Sequence, residues 1–171
     1  MSVSMYRATI PVFIRALNVL VTLLDKADTY TKEKGLAPAD LLGARLIDDM
    51  LPFAAQIQIA SDTSKLSAER LSGVAAPRFD DTEATLDELR ERVLKTVAYL
   101  KSIDAANFDG SEARTVTLKQ RGSELTFTGS DYLFQFALPN FYFHVVTAYD
   151  VLRQAGVPVG KLDFLGPLKE D

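Results

Sequence analysis

Apolar residues at Val3, Tyr6, Ile10, Phe13, Leu17, Leu20 and Leu24 recur at spacings of three and four, the one-face pattern of a long amphipathic helix. A stripe of that kind has to be covered, because a helix draws most of its stability from tertiary packing rather than from intrinsic propensity. The rest of the chain must supply the cover. Pro11 lies inside the pattern and has no N–H to donate, so the helix is expected either to kink there or to begin near Thr9. Its end is expected between Thr31 and Gly35, with Gly35 as the stop and Pro38 beyond it.

The same period returns three more times. Residues Ala39 to Asp49 read as a short helical piece, broken near Met50 because Pro52 disfavours helical geometry at Leu51. A second main helix then runs from Pro52 to Leu71, with Phe53, Ile57, Ala60 and Leu71 on its stripe, Asp48 and Asp49 near its positive end and Gly73 closing it. Asp80 and Glu83 have the spacing of a capping pair for a third helix, whose stripe is Leu86, Leu89, Val93, Val97 and Leu100. Asp87, Glu88, Arg90, Glu91, Arg92 and Lys95 read as its solvated face. A fourth helix from about Pro139 to Ala155 would bury Phe141, Val145, Ala148 and Leu152, ending at Gly156 and Pro158. Between the third and fourth helices the period changes to two, with Val116 and Leu118, then Leu125 and Phe127, alternating with polar residues about a turn at Gly122. That is a β-hairpin, which must lean on the bundle because a lone hairpin is marginal in water. The expected fold is therefore mainly α, an antiparallel up-down four-helix bundle with one small hairpin, forming a single domain over residues 1–171.

Composition narrows the function classes. The chain has no cysteine, which removes disulfides, thiolate nucleophiles and Cys-based metal sites. With 19 basic against 23 acidic residues it lacks the basic footprint of a nucleic-acid binder. The apolar run from Ile10 to Leu24 is interrupted by Arg15 and Asn18 and has no small-residue cleavage site after it, so neither a signal peptide nor a membrane span is expected. The expected location is cytoplasmic. No Gly-rich phosphate loop, G-x-S-x-G elbow or H-E-x-x-H motif is present.

His144 is the sole histidine, hence the one side chain whose ordinary pKa lies near neutrality and the best available ligand for a transition metal. Asn140, four residues earlier, shares its helix face. A metal site would need carboxylates from elsewhere, with Asp48, Asp49 and Asp62 as candidates by type. Asp48 and Asp49, being adjacent, point apart on a helix and serve more simply as charges at a helix start. Tyr142, Tyr149 and Asp150 lie near His144 in sequence, and a Tyr, His and carboxylate could together do acid-base work. Packing tyrosines and a hydrogen-bonded histidine are the plainer reading.

Several strings resemble an uncharacterised bacterial family: Met5-Tyr6-Arg7-Ala8 leading to Pro11-Val12-Phe13, then Asp49-Met50-Leu51-Pro52, then Leu138-Pro139-Asn140-Phe141-Tyr142-Phe143-His144, and Gly160-Lys161-Leu162-Asp163-Phe164-Leu165-Gly166. That family is similar to the DinB-like superfamily of four-helix bundles, whose members are often dimeric and include metal-dependent thiol transferases. The resemblance implies a metal held by one His from the second helix and a His-x-x-x-His pair from the fourth. Here His144 matches the second His of the pair and Asn140 stands at the first, while the second helix offers Gln56, Gln58 or Asp49. Neutral amides replace imidazole poorly around nickel or zinc. The resemblance thus implies the fold without the metal, since fold does not carry function with it.

The expected function is a bundle without a cofactor that binds a small apolar ligand or a partner, acting as a homodimer. His144, Asn140, Tyr142 and Gln56 are its expected pocket, and His144 with Asp49 its weak metal candidates. The alternatives are a metal-dependent hydrolase or thiol transferase using His144 with carboxylates, and a purely structural dimer.

Overall fold

The computed structural model describes residues 3–120 and 122–166; the expected domain extends past these at both ends. Helix α1 spans Met5–Lys34, opened by Ser4, whose hydroxyl accepts from the Arg7 N–H, and closed by Gly35 in the left-handed region. It runs through Pro11 without a break, whereas the sequence pointed to a kink or a later start. Pro11 and Arg7, whose carbonyl loses its partner, are both exposed, so the missing hydrogen bond falls on the solvent side of the helix, where it costs least. By length and composition α1 could cross a membrane, but half of its most apolar stretch is buried in this bundle.

Only Pro38–Gly43 of the expected short helix is helical, as α2, because Ala44 turns to extended geometry. Helix α3 covers Phe53–Ser72 and ends on Gly73 at φ 79°. Helix α4 covers Leu86–Lys101, and its capping box is Thr85 with Glu88 rather than Asp80 with Glu83. Strands β1 (Thr115–Gln120) and β2 (Ser123–Thr128) pair antiparallel, Val116 opposite Phe127 and Leu118 opposite Leu125. After the single turn α5 (Gly129–Asp131), Tyr132–Ala137 form a π-helix that leads into α6 (Leu138–Gln154), and α7 (Lys161–Leu165) follows. The fourth main helix therefore starts before the expected Pro139. Pro139 has no N–H, which disturbs the hydrogen-bond ladder of the turn before it and is the cause we assign to the widened segment.

The chain is a mainly helical bundle with one small hairpin between its third and fourth main helices. Its tightest pairs are α1 with α4 and α3 with α6. Each pair is antiparallel. Tyr6 meets Phe108 just past the end of α4 while Asp25 meets Arg90 near its start, and on α3 Gln56 faces His144 while Ser67 faces Tyr132. Between the pairs the direction is shared: Gln58 reaches Glu83 before α4, Ser61 reaches Thr96 and Val74 meets Tyr99, so α3 runs parallel to α4. The four main helices thus run up, down, down, up, and the up-down alternation holds within each tight pair rather than around the whole bundle. One apolar core joins them, with Phe13 and Phe141 packed edge to face at 4.8 Å.

Candidate functional site

His144 and Gln56 meet between α6 and α3, the imidazole Nδ1 lying 2.7 Å from the amide Oε1. Gln56 donates its own amide N–H to the Leu51 carbonyl at 2.9 Å. Its Oε1 is therefore an acceptor, and His144 Nδ1 carries the proton. Both residues are buried, and burial pushes the His144 pKa below its ordinary 6.5. At neutral pH the side chain is thus a neutral imidazole whose Nε2 holds a lone pair, able to accept a hydrogen bond or a proton.

The other expected pocket residues do not gather there. Asn140 turns to Thr63, donating to its hydroxyl at 2.9 Å. Tyr142 is half-buried on the opposite flank of α6, beside a cavity of about 130 Å³ that Arg15, Val19 and Phe164 also line, and burial raises its pKa. Tyr149 packs edge to face on Phe164, and Asp150 shares a separate shallow cavity with Lys161. Among the described residues none of these four side chains hydrogen-bonds to His144, whose partner is Gln56.

The carboxylates proposed as metal ligands are occupied elsewhere. Asp48 and Asp49 are exposed on the segment between α2 and α3. Asp62 pairs with Arg92 at 2.7 Å and Lys65 at 2.8 Å. Among the described residues no group of three or more His, Asp or Glu side chains converges to hold a metal ion. One imidazole bonded to a neutral amide is not a donor set for zinc or nickel, so these residues do not fit the superfamily's usual metal.

Arg92, read from sequence as part of a solvated face, is only 2% exposed. Its guanidinium reaches Asp62, Asp81 and Glu83 at 2.7–2.9 Å and donates to the Asp80 carbonyl. The ring of Phe79 lies under both Arg92 and the buried Lys65. Glu83, expected to cap a helix with Asp80, instead joins Asp81 in clamping the loop between α3 and α4 onto this cation. The sequence held one cue: Leu89, Arg92 and Thr96 share the spacing of a buried stripe.

With this geometry in view, the likeness to known proteins is informative. The model of a family described as a domain of unknown function, DUF1993, matches residues 5–165. This chain belongs to that family. The crystal structure of a DinB family member protein from Shewanella denitrificans is 38% identical to it, with a TM-score of 0.87, covering 97% of this chain and 94% of that one. Together they make DUF1993 an uncharacterised DinB-like family. No curated protein matches the chain.

The His144 environment predicts a pH effect for this DUF1993 domain. The folded-state pKa is depressed, so the unfolded chain binds the proton more readily; stability is fully present above about 6.5 and declines as pH falls below it toward the folded value. Urea unfolding at steps between pH 7.5 and 5 is expected to show that decline and to lose it in His144→Gln. An unchanged profile in the variant would mean that His144 titrates alike in both states.

Proposed function

We propose that this DUF1993 domain is a binding protein, taking a small ligand or a partner on a DinB-like bundle without the superfamily's metal chemistry. The bond from His144 Nδ1 to Gln56 Oε1 carries the reading, because it gives the sole imidazole a neutral amide where a metal site would need a second anionic or imidazole ligand. Homodimer formation and a cytoplasmic location belong to the same proposal. The exposed Phe143 and Val146, three residues apart on α6, give a second copy an apolar surface.

Element analysis of tag-free protein purified without chelator, beside His144→Ala, tests the metal-free reading. No stoichiometric nickel or zinc is expected in either protein. Stoichiometric metal that disappears in the variant would overturn the proposal and restore the hydrolase or thiol-transferase alternative. Light scattering at micromolar concentration tests the dimer separately, and a monomer would remove it.

A further inference from the structure

We infer that the cleft at the end of the bundle where α1 begins is a binding site for a small organic cation, such as a quaternary or alkyl ammonium. This rests on the binding-protein reading and gives it a location away from His144. The cleft has a volume of about 640 Å³, the largest of the cavities described and within the size range of ligand pockets. Met5 and Tyr6 form one wall, Phe108, Asp109 and Glu112 another, and Phe134 a third.

The chemistry of that lining selects the ligand. Three aromatic rings border the space, and Tyr6 and Phe108 are held edge to face at 5.6 Å. The charged side chains among its lining residues are Asp109 and Glu112, with no Lys or Arg to neutralise them. Aromatic rings beside two carboxylates, with no basic side chain among the lining residues, favour a positive apolar group over an anion. Phe134 is 56% exposed although it lies in a segment anchored from below. Two residues earlier, buried Tyr132 shares hydrogen bonds with Ser67 at 2.8 Å and Arg70 at 3.0 Å. The π-helix that carries both rings is a geometry often found at functional sites.

Titration of the whole ¹⁵N-labelled chain with choline and, in parallel, with its neutral isostere 3,3-dimethylbutanol tests the site. Choline is expected to bind saturably, to shift the resonances of Tyr6, Phe108 and Phe134, and to bind about tenfold more tightly than the alcohol. Phe134→Ala, at an exposed position, and a paired Asp109→Asn, Glu112→Gln variant are each expected to weaken choline about fivefold or more, the second also reducing its salt dependence. Equal binding of the two probes, no saturable binding of choline, or shifts confined to the surroundings of His144 would overturn the assignment. That last result would leave the binding-protein reading standing, whereas metal held by His144 would overturn that reading and say nothing against the cleft.

Discussion

Arg92→Ala is expected to destabilise the domain by about 2–4 kcal/mol, measured by urea unfolding at pH 7. Removing one member of a buried ionic cluster leaves its partners uncompensated, at a cost of about 3–5 kcal/mol in full burial. The lower range allows for solvent at the carboxylates, since the Asp62 and Asp81 side chains are 33% and 63% exposed. Glu83, at 11%, is the partner that suffers most. Lys65 still neutralises Asp62, so Glu83 and the loop carrying it are the casualties, and faster amide exchange is expected over residues 78–84.

The acid dependence provides an internal check. Burial by itself would raise the Glu83 pKa, but hydrogen bonds from Arg92 and Gln58 outweigh it and hold the carboxyl below its ordinary 4.5. A depressed carboxylate contributes stability that is present above about 4.5 and lost as pH falls through the folded value. The gap between wild type and variant is therefore expected to narrow below that pH. A loss under about 1 kcal/mol, constant with pH, would show that the cluster is screened like a surface pair.

Gly129→Ala is expected to be at least as damaging, by about 3 kcal/mol or more, since overpacking against backbone has no side chain to yield. A methyl group there would stand 1.8 Å from the Ser111 carbonyl oxygen and 3.2 Å from Leu71 Cδ2. The reason is space, as Gly129 is not among the glycines at positive φ. Gly43→Ala is the matched control: its methyl meets nothing within 4 Å, and the change is expected to be neutral or stabilising by up to about 1 kcal/mol. Thermal unfolding of the two variants separates them, and similar melting temperatures would refute the close approach. Because Ser130, the next residue, lines the cation cleft, any folded Gly129→Ala protein is also expected to bind choline less well.

Much of the fold was legible because each main helix buries a stripe with its own period. Leu86, Leu89, Val93, Val97 and Leu100 are all buried, as their spacing required, and the two-residue period of Val116 and Leu118 placed the hairpin. Boundaries were less legible. Asp80 with Glu83 and Thr85 with Glu88 both have capping spacing, and only packing decided that Thr85 and Glu88 close the box while Glu83 meets Arg92. The Gln56 and His144 pairing was anticipated only as membership of one pocket. Tyr142 was placed in the same pocket on sequence proximity, yet two residues along a helix is a rotation of about 200°, which carries its side chain to the other flank.

The amino-acid sequence by itself determined the four main helices and the hairpin, the apolar face of each main helix, the absence of thiol chemistry and the presence of a single histidine, His144. These are local properties, set by periodicity and residue type within one or two turns. Tertiary structure alone decided that α3 runs parallel to α4, that Arg92 is inside, and that residues near 6, 109 and 134 enclose a cleft. Such features depend on which stripe meets which across connections of many residues, and the entropy of closing a loop varies too slowly with its length to choose among partners. The choice falls to shape and charge between surfaces far apart in sequence, which no local pattern encodes.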